Sequence, residues 1–178
     1  DYYIEHKMGQ KAAMDNAKGV IEEVSERFAE EFGRKYELFE SYRLEDAERV
    51  VIAINSVAGE LKEVIDELRD EGEKVGLLKI RLFRPFPYAE IAEALKNAKI
   101  VTVLDRSTSM GAHGPLFVEI CSALYDAETR PMLYGRTFGL GGREMLLEDI
   151  RELFADSKRY LNEGKIERTS DFLNVRGG

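Results

Sequence analysis

Cysteine occurs once in the 178 residues, at Cys121, and that scarcity sets the first limits. A single thiol excludes an intramolecular disulfide and any cysteine-ligated zinc or iron–sulfur site within these residues. Spaced with Phe117, Ile120 and Leu124, it reads as a small apolar core residue of a helix. Histidine is nearly as rare. His6 falls in a segment expected to fray, and His113 sits alone in a glycine loop, without the partner that acid–base catalysis would require. No HExxH, CxxC or Ser-His-Asp order is present to support a metalloenzyme or hydrolase. Four prolines are the only such breaks in the chain, and there is no internal repeat or low-complexity tract. No apolar run approaches the ~20 residues of a membrane span, and no signal-peptide pattern stands at the start. A membrane partner is therefore not expected, and a reducing cytoplasm is the default location. Basic surplus is missing too: the formal net charge of -8 argues against nucleic acid, which a binding domain meets with a basic stripe.

The length suits one domain, with or without an arm, and suffices for a substantial core. Charged residues make up 34%, a composition compatible with a thermophile. The acid is uneven. Residues 1 to 48 hold 13 Asp and Glu against 7 Lys and Arg, a net of -6, leaving -2 for the other 130. A solvated helix face accounts for such an excess, and an acidic docking surface is the alternative.

Periodicity divides the chain into elements. Val20, Ile21, Val24, Phe28 and Phe32 recur at three- and four-residue steps, predicting a helix from about Gln10 that Gly33 ends as a cap. So narrow a stripe must pack on its own sheet or on a neighbour. Residues 33 to 48 read as a connector. From Arg49 the pattern alternates. Arg49–Asn55 is a short β-branched strand, and Ser56 can cap a helix over Val57–Arg69 with Leu61, Val64, Ile65 and Leu68 on one face. Val75–Phe83 is a second strand, and Tyr88–Asn97 a helix introduced by Pro85 and Pro87. Lys99–Leu104 is a third strand, Pro115–Tyr125 a helix with proline in its first turn, Pro131–Thr137 a fourth strand, and Met145–Phe154 a last helix. Strands alternating with helices predict a three-layer α/β/α fold with a mainly parallel sheet and right-handed crossovers. Ala155 to Gly178 is mostly polar and reads as an arm.

Chemistry in such a fold concentrates in loops at the carboxyl ends of the strands. Val101-Thr-Val-Leu-Asp-Arg-Ser-Thr-Ser-Met-Gly-Ala-His-Gly114 is an apolar strand running into a polar, glycine-bearing loop. Asp105 and Arg106 end the strand, and Ser107, Thr108 and Ser109 offer hydroxyls before Gly111 and Gly114 let the backbone turn. Free amides at the start of the following helix could receive a phosphate or carboxylate. The loop lacks the lysine of GxxxxGK[ST] and the spacing of GxGxxG, however, and an Asp-Arg pair with a helix cap is the structural alternative. The second loop, Gly135-Arg-Thr-Phe-Gly-Leu-Gly-Gly-Arg143, sets Gly139, Gly141 and Gly142 between Arg136 and Arg143. Two arginines could fork onto an anion, and the glycines permit close approach of another backbone. With no acid or base beside them, an anion clamp or a packing surface against another domain is all these residues support.

Together with Val75-Gly-Leu-Leu-Lys-Ile-Arg-Leu-Phe-Arg-Pro-Phe-Pro87, these loops resemble the second domain of the α subunit of the 2-oxoacid:ferredoxin oxidoreductases, the pyruvate:ferredoxin oxidoreductase family. That domain is similar to the C-terminal domain of transketolase. The resemblance covers roughly Lys11 to Phe154. It implies an N-terminal helix and connector over 1–48, a transketolase C-terminal-like α/β domain over 49–155, and a C-terminal arm over 156–178. It also implies that a chain opening at Asp1 is cut from a longer polypeptide, one serving in the oxidative decarboxylation of a 2-oxoacid, with pyruvate first in line, to an acyl-CoA. Thiamine diphosphate, Mg, iron–sulfur clusters and coenzyme A are implied for the complete enzyme, and ferredoxin as its electron acceptor. None is expected on this piece, which lacks the cysteines and the metal-binding GDG motif. The implied partners are the other domains of the α chain and the β, γ and δ subunits or their fused equivalents. Asp105, Arg106, Arg136 and Arg143 would then serve interdomain contacts. A stand-alone anion-binding or protein-interaction module remains the other reading.

Overall fold

The computed structural model describes residues 2–176; Asp1, Gly177 and Gly178 lie outside them. The elements run α1 (Tyr3–Phe32), β1 (Phe39–Tyr42), β2 (Arg49–Ile54), α2 (Ala58–Asp70), β3 (Val75–Ile80), α3 (Tyr88–Ala94), β4 (Ile100–Asp105), α4 (Pro115–Tyr125), β5 (Met132–Thr137), a single 3-10 turn (Leu140–Gly142), α5 (Leu147–Glu163) and β6 (Ser170–Phe172). They build one six-stranded sheet in the order β1-β3-β2-β4-β5-β6, with β1 antiparallel to β3 and every other pairing parallel.

The central strands are buried on both faces, as continuous apolar runs demand in a parallel sheet. On one face Leu78, Ile80, Ile52 and Val103 meet Ile91 of α3 and Leu116, Phe117 and Ile120 of α4. On the other, Val51, Ala53, Leu77 and Leu104 meet Leu61 and Ile65 of α2 and Ile150, Leu153 and Phe154 of α5. Each such side chain removed from water contributes roughly 1.5–3 kcal/mol. The expected α/β/α layering is thus present.

Several local expectations are corrected. The connector holds a strand, because Phe39 and Tyr42 turn to opposite faces of the sheet edge and each packs on a core cluster. The region read as an arm continues α5 by nine residues and adds β6. The apolar stripe of α5 runs on through Ser157 and Tyr160, both buried, and Ser157 hides its hydroxyl by donating to the Phe154 carbonyl at 2.8 Å. Helix α1 begins at Tyr3 and includes His6, and Gly33 ends it at φ 69°, donating to the Ala29 carbonyl at 2.8 Å. Ser56 gives α2 no side-chain cap. Cys121 is exposed, since the buried face of α4 comprises Leu116, Phe117, Ile120, Ala123 and Leu124.

No residue of α1 is buried. Only Ala17, Lys18, Ile21, Ser25, Phe28 and Ala29 are half-covered, and residues 3 to 16 are all exposed, though Met14 less than the other large apolar ones. Its attachments are the Lys18–Glu90 ion pair, the Tyr36 amide donating to Ser25 Oγ at 3.2 Å, and the Phe28 and Tyr36 rings 5.6 Å apart. At the amino-terminal end of the sheet, buried Arg49 donates to the Phe154 carbonyl at 2.8 Å and pairs with Glu73, which Lys158 also holds.

Candidate functional site

Strand β2 lies between β3 and β4. The chain leaves β2 through α2 to reach β3 on one side and later enters β4 on the other, so the connections diverge above the carboxyl ends of β2 and β4. Crevices in open α/β sheets form at such a switch point. Here a cavity of about 300 Å³ is lined by Asn55, Ser56, Asp105, Arg106, Ser107 and Phe138, among others. A second, of about 330 Å³, lies against it and is lined by Ser56, Glu60, Arg106, Gly142, Arg143 and Glu144.

Asp105 does not offer its carboxylate to this crevice. It is buried, and its Oδ1 and Oδ2 accept from the amides of Leu116 and Phe117, each at 2.9 Å. The amide cradle at the start of α4, expected to receive a ligand anion, is filled by the chain's own carboxylate. Burial pushes the Asp105 carboxyl above its ordinary pKa, and the two amides oppose that rise. Gly114 is the counterpart: a Cβ there would stand 2.3 Å from Asp105 Oδ2. Its backbone, at φ -58° and ψ 146°, would suit any residue, so the requirement for glycine is steric.

The expected Asp105–Arg106 pair is not formed. Arg106 Nε donates across to the Gly139 carbonyl at 3.2 Å, joining the β4 loop to the β5 loop. Gly139 permits this at φ 67°, with the Arg106 side chain 3.1 Å from where a Cβ would be. Ser107 is exposed and lines the crevice. Gly111, Gly141 and Gly142 also take positive φ, but no other part of this chain comes within 4 Å of where their Cβ atoms would stand. His113 is exposed, its ring 5.1 Å from that of Phe117.

The anion clamp of two arginines is likewise corrected. Arg136 is buried beneath α5, donating to the Gly135 and Arg168 carbonyls at 2.9 and 3.2 Å and to the Tyr160 hydroxyl at 3.2 Å, with its guanidinium 4.6 Å from the Tyr134 ring centre. Arg143 donates to the Asn174 carbonyl. Arg136 lies within β5, where it is buried, whereas Arg143 follows the 3-10 turn in the exposed loop, so the two do not meet. Asn55 and Ser56 were not singled out as site residues. The signal was an Asn-Ser pair ending an apolar run, since asparagine tolerates the left-handed conformation it adopts here at φ 74°.

Among the described residues no three His, Cys, Asp or Glu side chains meet as a metal set. The one cysteine cannot supply the thiolates of an iron–sulfur cluster, so such a group does not fit this chain. Among the described residues, neither Ser56 nor Ser107 of the crevice is hydrogen-bonded through its side chain to a carboxylate or imidazole. What the arrangement offers is a shelf of loops carrying two guanidinium groups bound to carbonyls rather than to carboxylates. No helix among the described residues is long and apolar enough to cross a membrane.

A family model described as pyruvate:ferredoxin oxidoreductase core domain II matches residues 47–150. The chain is 49% identical over 176 residues to the pyruvate synthase subunit PorA of Thermotoga maritima, covering 99% of this chain and 44% of that protein. It is 37% identical over 175 residues to the PorA of Pyrococcus furiosus, covering 98% and 44%. With the ketoisovalerate oxidoreductase subunit VorA of Pyrococcus horikoshii the identity is 38% over 177 residues, covering 99% and 45%. The chain thus spans less than half the length of these relatives. A solved 2-oxoglutarate:ferredoxin oxidoreductase from Magnetococcus marinus, with 2-oxoglutarate, coenzyme A and succinyl-CoA bound, shares the fold with a TM-score of 0.51 and 21% identity, over 74% of this chain and 21% of that one.

Proposed function

The chain belongs to the pyruvate:ferredoxin oxidoreductase family as a core domain II, and from that premise we propose that it is an assembly domain of the α subunit of a 2-oxoacid:ferredoxin oxidoreductase. The observation that carries the assembly role is Asp105, which fills the amide cradle of α4 and leaves the crevice without a reacting group. The domain then contributes shaped contacts, through Arg106 and Arg143 and the open glycines of the β5 loop. Thiamine diphosphate with its Mg, the iron–sulfur clusters and coenzyme A reside on the rest of the polypeptide and on other subunits, and ferredoxin meets the complete enzyme there. Pyruvate is the favoured substrate, given the 49% identity to a pyruvate synthase subunit. Comparable identities of 37% and 38% to relatives named for pyruvate and for ketoisovalerate support a reading in which other domains choose the oxoacid. The cytoplasm is the proposed location.

The test is Arg143→Ala in the complete enzyme, with the native mass and pyruvate-dependent ferredoxin reduction measured together. Weakened assembly with an unchanged KM for pyruvate is expected; unchanged assembly and unchanged activity would sink the reading. The isolated chain should show no turnover. A second reading, an anion-binding module, is favoured by the presence of Arg106 and Arg143 on one cavity wall, although Glu60 and Glu144 share that wall and repel an anion. Calorimetric titration with phosphate and with coenzyme A separates the two, since absence of heat removes the binding module.

A further inference from the structure

Helix α1 meets the α/β body along a seam that is mostly polar. A cavity of about 520 Å³ opens there, lined on the helix side by Glu22, Ser25 and Glu26 and on the facing side by Lys35, Glu37 and Glu90, among others. Both walls belong to this chain. The facing side carries its own cation, since Lys35 pairs with Glu37 at 3.0 Å, but that leaves Glu90 opposite Glu22 and Glu26. Carboxylates across a narrow gap repel, and this repulsion pushes the helix away from the body.

Two fastenings oppose it. The first lies close to the end of the helix, where the chain turns at Gly33 in the left-handed conformation and Tyr36 folds back on α1. The Tyr36 amide donates to Ser25 Oγ at 3.2 Å, and its ring centre lies 5.6 Å from that of Phe28. The second is the Lys18–Glu90 ion pair, which ties α1 to the first turn of α3. Lys18 stands about 22 Å along the helix axis from Gly33, at 1.5 Å per residue. Each partner's side chain is 34% exposed, and an ion pair so open to water holds weakly. No residue of α1 is buried, so lifting the helix costs little apolar contact.

We propose that Gly33 and Tyr36 form a pivot and that Lys18–Glu90 is a latch, so that α1 is a lever exchanging between a position held on α3 and a released one. The seam is balanced between the two, because the latch attracts where Glu22 and Glu26 repel. A helix set in this way moves as a rod, keeping its own backbone hydrogen bonds while the short turn after Gly33 absorbs the rotation. Residues 3 to 16, beyond the latch, travel furthest. These contacts lie within the chain, and the inference does not depend on the α-subunit reading.

Single-molecule energy transfer tests it on the full polypeptide that carries this chain, with dyes at Gln10 and Thr129, both exposed. Two populations are expected. Glu90→Gln and Lys18→Gln should each raise the ratio of released to latched molecules by up to about fivefold, the change that an ion pair at the upper end of its usual strength in water supports. Glu26→Gln, which relieves the repulsion and leaves the latch intact, should move the ratio the other way. The exchanged pair, Lys18→Glu with Glu90→Lys, should bring it back toward that of the parent. A single population that none of these substitutions moves overturns the proposal. So does a release by Glu90→Gln that the exchanged pair fails to reverse, or a Glu26→Gln that releases the helix.

Discussion

Replacing Gly114 by alanine should be among the most damaging single-methyl additions this fold can receive. The new Cβ would lie 2.3, 2.4 and 2.6 Å from Oδ2, Cγ and Cβ of Asp105, all far inside contact distance. Either the loop shifts, at the ~1–3 kcal/mol typical of overpacking, or the carboxylate swings away from α4. In the second case two amide-to-carboxylate hydrogen bonds are lost, at ~1.5–3 kcal/mol each, and the Leu116 and Phe117 amides are left unpaired. The cheaper compromise, the loop shift, still costs about 1–3 kcal/mol. Urea denaturation followed by far-ultraviolet circular dichroism reads it as a lower midpoint at constant slope. Asp105→Ala removes two of the three clashing atoms, so alanine at 114 should cost less in that background, with a coupling above ~1 kcal/mol. A Gly114→Ala chain within ~0.5 kcal/mol of the parent, the range of ordinary surface changes, would refute the steric account.

Acid sensitivity should trace to Glu73. The hydrogen bond from Lys158, with the Arg49 charge beside it, holds the Glu73 carboxyl below its ordinary value of 4.5, so its stabilisation is complete above that pH and fades as pH falls through the lower folded value. Glu73→Gln should cost about 1–2 kcal/mol at neutral pH and flatten that part of the acid limb, as read by denaturation at a series of pH values. Arg136→Met should cost about 2–4 kcal/mol by stranding the Tyr160 hydroxyl and the Arg168 carbonyl, and hydrogen exchange at residues 170–172 should quicken; lysine should recover little, lacking the fork. Cys121 should react with a disulfide reagent in the folded chain, one thiol per molecule, but with its rate rising at higher pH than a free thiol, because the partial loss of water around its sulfur, on an otherwise exposed residue, pushes its pKa up. No reaction before unfolding would return Cys121 to the core.

The central sheet was legible because parallel strands buried on both faces announce themselves as unbroken apolar runs: 49–54, 75–80, 100–105 and 132–137 each lie within a residue or two of expectation, save the long overrun after Ile80. Phe39-Glu-Ser-Tyr42 was not, since two polar residues separate its aromatics, which face opposite sides of the edge, and without a period-two pattern among charges it imitates a loop. The end of α5 was hidden by Ser157, whose polarity masks its burial. In the crevice, the loops and their glycines could be found from sequence, whereas the partners of the charged groups could not. Asp105 turning back to α4, Arg106 reaching to Gly139 and Arg136 diving beneath α5 depend on side-chain direction in three dimensions, which spacing along a chain does not encode.

The two sheet borders carry a consequence for how such a molecule joins a larger one. β1 has four residues, runs against its neighbour and projects Glu40 toward Lys62 and Arg81; β6 has only three and is held by Asp171 to Arg168. Borders so brief and so ionic deny a passing strand the ladder it would need to lengthen the sheet. Neighbouring proteins are thereby steered away from backbone zippering, which is indifferent to sequence, and toward side-chain contacts that can tell one subunit from another.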